Sequence, residues 1–244
     1  MLTKPQITYI RSLHQKKFRQ MYGKFLVEGD KLVRELLASN VKTDAIYALE
    51  GWKNANNSAK HEITLVSASD LERISTHDSP NQVVAIADIP KHEAADLNLA
   101  PALYIALDQI QDPGNAGTII RIADWFGINT VFFSEGSVDV YNPKVVSSAK
   151  GSLFRTACHY VNLAQLFETN KALPVYGTFM EGENIYKTDL ASQGFIVIGN
   201  EANGISQEVA AYVTNKISIP NFGKAESLNA AVATGIVVSE FKRK

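Results

Sequence analysis

The chain of 244 residues has a single cysteine, no long apolar run and a formal net charge of only −1. One cysteine, Cys158, excludes an intrachain disulfide and a cysteine-rich metal cluster, and it fits a reducing compartment. No segment reaches the roughly 18 apolar residues of a transmembrane helix. Residues 1–25 carry charges throughout and contain no apolar signal-peptide core. We therefore expect a soluble, cytoplasmic protein without a membrane segment.

The pattern of apolar segments indicates two α/β domains. Hydrophobic residues make up 45% of the chain and charged residues 20%, which is the composition of a globular protein with an ample core. Residues 88–101 contain two prolines, several charges and few large apolar side chains, as is typical of a linker. We place the boundary near residue 95, between an N-terminal domain of residues 1–94 and a C-terminal domain of residues 95–244.

Helices and strands alternate in both domains. In the N-terminal domain the spacing predicts helices over residues 5–22, 30–38 and 69–74, and strands over residues 25–27, 45–49, 63–66 and 83–87. The C-terminal domain has predicted strands over 102–107, 130–133, 174–178, 195–198 and 216–219, and helices over 117–126, 143–151, 163–169, 206–213 and 228–242. This stricter alternation predicts a mostly parallel sheet with helices on both faces. Ligands of such sheets bind outside the carboxyl ends of the strands, so the loops after the strands are the candidate sites.

Basic residues are concentrated at the start of the chain, before the first acidic residue, Glu28. Aromatic side chains are interspersed among them. A local basic segment in a nearly neutral protein indicates an anionic partner such as RNA, although a solvated helix face gives the same pattern. The candidate RNA contacts are Arg11, Lys16, Lys17 and Arg19.

Three loops carry the polar residues of the C-terminal domain: DQIQDPGNAGTIIR (108–121), GNEANGIS (199–206) and the start of ISIPNFGKAESLNAAVATGIVVSEF (217–241). Each has an ordinary structural explanation. Arg121 has an acidic residue, Asp124, at i+3 as a surface partner, while Ser206 and Ser227 are in position to be helix N-caps. The apolar residues from 228 to 241 surround almost the whole helical circumference, which predicts a buried C-terminal helix. Neither a P-loop nor a Gly-x-Gly-x-x-Gly fingerprint is present, which argues against a nucleotide-dependent oxidoreductase.

Together, and in this order, DPGNAGTIIR, IGNEANGIS and ISIPNFGKAESLNAAVATGI resemble the three motifs of the SpoU (TrmH) family of RNA ribose 2′-O-methyltransferases, across residues 102–244. The intervening SSAKGSLFR is similar to that family, and FLVEGDKLVRELL is similar to its small substrate-recognition domain. The resemblance implies a SPOUT-like α/β catalytic domain with a deep trefoil knot in its C-terminal chain. It also implies a homodimer, S-adenosylmethionine as the methyl donor, S-adenosylhomocysteine as the product, and no metal.

The resemblance also implies roles for individual residues. The cofactor positions are Thr178, Gly199, Ile219 and Leu228, which act mainly through backbone groups. The polar active-site positions are Asn115, Arg121, Glu201, Ser227 and Asn229.

The family commonly assigns deprotonation of the ribose hydroxyl to the arginine that corresponds to Arg121. Because a guanidinium stays protonated in proteins, we expect Arg121 instead to bind an RNA phosphate and stabilise the developing alkoxide. We expect Glu201 to orient Arg121 or Asn115, and Ser227 and Asn229 to hold the third loop in shape.

Two alternatives to a ribose methyltransferase remain open on this scaffold. One is an RNA-binding protein that does not catalyse. The other is a methyltransferase that modifies a tRNA base. The separate recognition domain favours ribosomal over transfer RNA.

Overall fold

A computed structural model describes residues 1–56, 61–77, 81–90 and 99–243. The chain forms two compact units. The first contains Met1–Lys91 and Asp139–Phe154, and the second contains His92–Val138 and Arg155–Lys244. The predicted boundary near residue 95 lies outside the described residues. In the described ranges no helix is long and apolar enough to cross a membrane.

The first unit is built on a four-stranded mixed sheet. Its strands are β1 (Lys24–Glu28), β2 (Thr43–Ala48), β3 (Ile63–Leu65) and β4 (Val83–Asp88), and its helices are α1 (Lys4–Ser12), α2 (Lys16–Tyr22), α3 (Asp30–Ala38), α4 (Glu50–Ala55), α5 (Ala68–Ile74) and α7 (Pro143–Ala149). The strand order is β1-β4-β2-β3, with β4 antiparallel to both of its neighbours and β2 parallel to β3. All four predicted strands are confirmed, and α3 has the predicted bounds.

The predicted helix over residues 5–22 is wrong, because a turn separates α1 from α2. The turn frees the carbonyl groups of Leu13 and His14, and the guanidinium of Arg19 donates to both at 2.9 and 2.8 Å. The same guanidinium donates to Asp139 at 2.9 and 2.6 Å, and Arg19 is only 2% exposed. The structure therefore contradicts the predicted role of Arg19 as an RNA contact, because its charge is paired in the interior.

Residues 139–154 belong to the core of the first unit. The ring of Phe25 on β1 lies 4.8 Å from that of Tyr141 and 6.5 Å from that of Phe154, measured between centroids. Gly151 has a φ of +93°, and a Cβ there would lie 3.0 Å from the side chain of Glu35. A glycine is thus required by both conformation and space where this segment meets α3.

The second unit contains a six-stranded sheet in which every pair of neighbouring strands is parallel. Its strands are β5 (Leu103–Leu107), β6 (Thr130–Ser134), β7 (Ala157–Val161), β8 (Val175–Asn184), β9 (Gly194–Ile198) and β10 (Asn215–Ser218), in the order β10-β8-β9-β5-β6-β7. The helices are α6 (Pro113–Trp125), α8 (Leu163–Thr169), α9 (Gln207–Ala210) and α10 (Ala230–Lys242). The predicted parallel α/β fold is confirmed.

Every residue of the central strands β5 and β9 is buried, so helices cover both of their faces. Aromatic rings fill one side of this core: Phe195 lies 4.9 Å from Phe167 and 5.6 Å from Tyr104 between ring centroids. Burial raises the pKa of the Cys158 thiol to about 12, which keeps it protonated and unreactive at neutral pH.

Several predicted bounds in this unit are corrected. Helix α6 begins at Pro113, four residues before the predicted start, while α9 ends at Ala210 and is shorter than predicted. Strand β7 was not predicted, because this edge strand has only one fully buried side chain and therefore no apolar run. Helix α10 is not buried on all sides, since 52% of Val232 is exposed.

Candidate active site

Residue Asn115 lies in the first turn of α6, directly after the loop that follows β5. Asp112 is the N-cap of this helix, and its Oδ1 accepts a hydrogen bond from the backbone N–H of Asn115 at 2.7 Å. Pro113 occupies the first helical position, where its missing N–H has no cost. The cap and the proline fix the start of the helix and leave the side chain of Asn115 only 8% exposed.

A continuous chain of hydrogen bonds joins the three loops. Asn115 Nδ2 donates to Glu201 Oε1 at 2.8 Å, and Asn229 Nδ2 donates to Asn115 Oδ1 at 2.8 Å. Asn229 Oδ1 accepts from the backbone N–H groups of Ala231 and Val232 at 3.0 and 3.2 Å. Because backbone N–H groups only donate, Asn229 Oδ1 must be the acceptor and Asn229 Nδ2 the donor to Asn115 Oδ1, so the orientation of both amides in this chain is determined. The predicted link between Glu201 and Asn115 is present.

The loop that carries Glu201 is held in shape by its neighbour Asn200. The backbone of Asn200 exchanges two hydrogen bonds of 2.9 Å with Gly204, and its Oδ1 accepts from Ala202 and Asn203 at 3.0 and 3.1 Å. Its Nδ2 donates to the carbonyl oxygen of Gln109 at 2.8 Å. The side chain of Asn200 therefore connects the loop after β9 to the loop after β5.

Gly199, the first residue of this loop, cannot be replaced without moving the backbone. A Cβ at this position would lie 2.2 Å from the carbonyl carbon of Gly204 and 2.3 Å from the nitrogen of Ile205. The absence of a side chain thus allows the loop to fold back tightly on the end of β9.

A cavity of about 970 Å³ lies at the carboxyl ends of β9 and β10, beside residues 178–181 in the middle of β8. All four predicted cofactor residues line it, together with two of the predicted polar residues: Thr178, Gly199, Glu201, Ile219, Ser227 and Leu228. Buried apolar side chains such as Ile198, Ile217 and Val237 form its inner wall. Strand β8 lines the cavity because its pairing with β10 is interrupted between Gly177 and Glu183. Residues 178–181, which lie in this unpaired part of β8, line the cavity.

Arg121 lies on the exposed face of α6, and no hydrogen bond or ion pair of its guanidinium is found within the described ranges. Its predicted surface partner, Asp124, instead accepts hydrogen bonds from Arg155 at 3.1 and 2.9 Å. The alternative that Arg121 is an ordinary surface ion pair with Asp124 is therefore wrong. Arg121 neither lines the cavity nor belongs to the hydrogen-bonded chain.

Asn229, and not Ser227, is the N-cap of α10. Ser227 is exposed and lies two residues before that cap, where it lines the cavity. Ser206 is an N-cap as predicted, and it caps the short helix α9. Its backbone N–H donates to the buried Asp108 at 2.8 Å.

In the part of the chain that the structure describes, no group of three or more histidine, cysteine, aspartate or glutamate residues is placed to hold a metal ion.

The structural roles of Asp112 and Asn200 were not predicted, although both have a sequence signal. Asp followed by Pro is a common start of a helix, and Asn directly after a strand favours a turn closed by its own side chain. The N-cap signal of Asp112 includes its local partner Asn115, whereas the signal of Asn200 does not reveal its contact with Gln109, 91 residues away in sequence.

Parallel strands covered by helices, with a cavity and a set of linked polar side chains at the strand ends, define an α/β protein with a small-molecule site of the kind found in enzymes. The comparisons with known proteins identify the particular family. Residues 102–239 match the SpoU rRNA Methylase family and residues 4–85 match the MRM3-like substrate binding domain. The chain belongs to the SpoU rRNA methylase family.

Three similar proteins are informative. The Bacillus subtilis 23S rRNA (guanosine(2553)-2′-O)-methyltransferase RlmP is 31% identical over 93% of this chain and 92% of its own length. A solved structure of a TrmH-family RNA methyltransferase from Porphyromonas gingivalis has 37% identity and a TM-score of 0.89, covering 100% of this chain and 99% of that one. A solved structure of an S-adenosylmethionine-bound rRNA methyltransferase from Sinorhizobium meliloti has 30% identity and a TM-score of 0.87, covering 100% of this chain and 96% of that one.

Proposed function

We propose that this protein transfers a methyl group from S-adenosylmethionine to a ribose 2′-hydroxyl of structured RNA, with ribosomal RNA favoured over transfer RNA. The observation that carries the proposal is the hydrogen-bonded chain from Glu201 through Asn115 to Asn229, together with a cavity lined by all four expected cofactor residues. The relatives named above include one rRNA 2′-O-methyltransferase, RlmP.

The cavity fits the cofactor in size and chemistry. Its volume of about 970 Å³ is at the upper end of the range for small-molecule sites. Thr178, Gly199, Ile219 and Leu228 would hold the cofactor between apolar side chains and backbone polar groups. When bound, S-adenosylmethionine supplies an electrophilic methyl group on a sulfonium.

The chain's own residues orient the reactants and stabilise charge. The site would hold the ribose 2′-oxygen in line with the methyl group, the sulfonium sulfur would be the leaving group, and the hydroxyl proton would pass to solvent water. The guanidinium of Arg121, which has no hydrogen-bond or ion-pair partner among the described residues, would bind a phosphate of the RNA and stabilise the alkoxide. Asn115 and Asn229 keep Glu201 and the third loop in a fixed arrangement, which provides the positioning on which such a reaction depends.

The test of this function combines cofactor binding with methyl transfer. Purified protein is incubated with radiolabelled S-adenosylmethionine and total RNA from a strain that lacks the gene. Label in the RNA, at highest specific activity in the ribosomal fraction, is the expected result. Cofactor binding without label in free RNA or in ribosomal particles would support the non-catalytic alternative, and absence of both binding and label would reject a methyltransferase.

We also propose that the protein is a homodimer joined through α6 and α10, which pack against each other in the second unit. A Cβ on Gly235 of α10 would lie 3.7 Å from Ile122 of α6, and both helices expose large apolar side chains: 83% of Trp125 and 52% of Val232. A solution mass near twice 26.7 kDa is expected. A wild-type protein that sediments as a monomer at micromolar concentration would contradict the dimer.

The N-terminal domain of residues 1–94 is proposed to select the RNA, and the domain of residues 95–244 is proposed to carry out methylation. The proposed location of the protein is the cytoplasm. Arg11, Lys16 and Lys17 are exposed, and the Lys17 ammonium lies 5.9 Å from the centre of the Phe18 ring. A double Lys16→Gln, Lys17→Gln variant should bind ribosomal RNA more weakly and with a shallower salt dependence. Equal affinity at low salt would exclude this surface.

The trefoil knot is proposed from the family membership.

A further inference from the structure

An exposed aromatic side chain lies at the entrance of the cavity and is not explained by the site described above. Phe222 is 93% exposed, the highest exposure of any aromatic side chain among the described residues, and it also lines the cavity. The inner wall consists of nearly buried residues such as Ile198 and Val237. Phe222 therefore belongs to the outer rim, where a second reactant has to approach.

The turn that carries Phe222 is braced by the preceding residue. Asn221 Oδ1 accepts a hydrogen bond from the backbone N–H of Gly223 at 2.8 Å, and Asn221 Nδ2 donates to the carbonyl oxygen of Ala225 at 2.8 Å. Both bonds close the turn on either side of the ring. The fold thus holds a large apolar ring in water, which is unfavourable unless a partner covers it.

We propose that Phe222 stacks on a nucleobase of the RNA substrate, either that of the target nucleotide or its neighbour, and so positions the ribose over the cavity. This inference rests on the proposed function. A base suits the site because the ring is exposed at the rim, next to an exposed cation, Lys224, which can contact the RNA backbone. Aromatic rings and cations together are the usual means of binding unpaired nucleotides.

The kinetic test compares Phe222→Ala with Phe222→Trp and with a control, Tyr186→Ala. Tyr186 is 50% exposed in the same unit and does not line the cavity. With ribosomal RNA from a strain that lacks the gene, Phe222→Ala should raise the KM for RNA by about 5- to 150-fold. The Kd for S-adenosylmethionine should stay unchanged. Phe222→Trp and the control should resemble the wild type.

Three results would overturn the proposal. An unchanged KM for RNA would show that no base contacts the ring. An equal loss of cofactor affinity would place Phe222 in the cofactor site, and a change from dimer to monomer would place it in the interface between copies.

A spectroscopic arm separates this inference from the proposed reaction. Stacking should quench the added indole fluorescence of Phe222→Trp when the same ribosomal RNA is titrated in, whereas Tyr186→Trp should change little. If the wild type transfers no methyl group, the proposed function fails, yet quenching would still support base stacking. If the wild type is active and Phe222→Trp is not quenched, only the stacking proposal fails.

Discussion

At the scale of single residues, the proposed reaction relies on an arginine, Arg121, on the exposed face of α6. Arg121 is exposed and its guanidinium is not engaged within the described ranges, because the neighbouring Asp124 is bound by Arg155. An exposed arginine that has no partner among the described residues is suited to bind an anionic group of a substrate. If Asp124 were paired with Arg121 instead of Arg155, the protein itself would neutralise the charge of the Arg121 guanidinium.

Replacement of this arginine should remove catalysis and leave cofactor binding intact. Arg121→Ala is expected to lower kcat by about 10²- to 10³-fold, the usual effect of removing a group that stabilises transition-state charge. The Kd for S-adenosylmethionine, measured by calorimetry, should not change, because Arg121 does not line the cavity. The control is Arg243→Ala, which removes an exposed ion pair with Glu240 at the end of α10. Turnover of Arg121→Ala at the wild-type rate would exclude the assigned role.

Arg155 is expected to act as a positioning residue through Asp124. In Arg155→Ala the carboxylate of Asp124, three residues from Arg121 on α6, loses its hydrogen bonds from Arg155 and can turn towards the guanidinium of Arg121. Since exposed ion pairs contribute only up to about 1 kcal/mol, kcat should fall by about two- to fivefold. The double variant Arg155→Ala, Asp124→Asn should recover the lost activity. No recovery would mean that Arg155 acts by a different route.

At the scale of elements, the N-terminus of α10 serves the helix and the site at the same time. Asn229 caps the helix with its oxygen and binds Asn115 with its nitrogen. The two functions use different atoms of one amide. They can therefore be separated by substitution.

Asn229→Asp should keep the cap and lose the contact with Asn115, while Asn229→Ala should lose both. We expect the alanine variant to lose about 1 kcal/mol of unfolding free energy and the aspartate variant to lose much less. Both should have a reduced kcat. Chemical denaturation and single-turnover methylation measure the two effects. An aspartate variant with full activity would show that the contact between the asparagines is not needed.

The elements that were predicted well are those whose residues follow a regular period. Helices α3 and α8 have their predicted bounds, and the five strands predicted in the C-terminal half all lie in the parallel sheet. The predictions failed where a distant partner decides the local structure. The break between α1 and α2 is stabilised by Arg19, whose ion-pair partner is 120 residues away. Asn229, itself a preferred N-cap residue, caps α10 in place of Ser227, and its second contact is with Asn115, 114 residues away in sequence.

The candidate site was predicted from motif resemblance and not from periodicity. Resemblance predicted four cofactor positions, which line one cavity, and three side chains that form the hydrogen-bonded chain. It did not identify the bracing contact of Asn200 with Gln109, or the exposed ring of Phe222, because those features depend on how the loops fold against each other.

At the scale of the whole molecule, the first unit depends on a buried ion pair that joins distant parts of the chain. Arg19 and Asp139 are 2% and 14% exposed, and the arginine is further bonded to two backbone carbonyl groups. Removing one partner of such a pair leaves a buried charge without compensation. Residues 139–154 are thereby held in the first unit, although they lie in the middle of the sequence.

Arg19→Ala should reduce the unfolding free energy of the protein by about 3–5 kcal/mol. The control is Arg34→Ala, which removes an exposed ion pair with Asp30 on α3 and should cost only about 0.3–0.5 kcal/mol. Urea denaturation followed by circular dichroism measures both. Equal stability of the two variants would show that the buried pair does not hold the unit together.

The central claim is that the strand-end site directs a methyl group to a ribose oxygen. The most direct measurement is alkaline hydrolysis of RNA that the purified protein has methylated with labelled S-adenosylmethionine. A 2′-O-methyl group blocks cleavage of the adjacent phosphodiester, so the label is expected in an alkali-resistant dinucleotide. Label recovered only in mononucleotides would identify a methylated base and would contradict this account of the site.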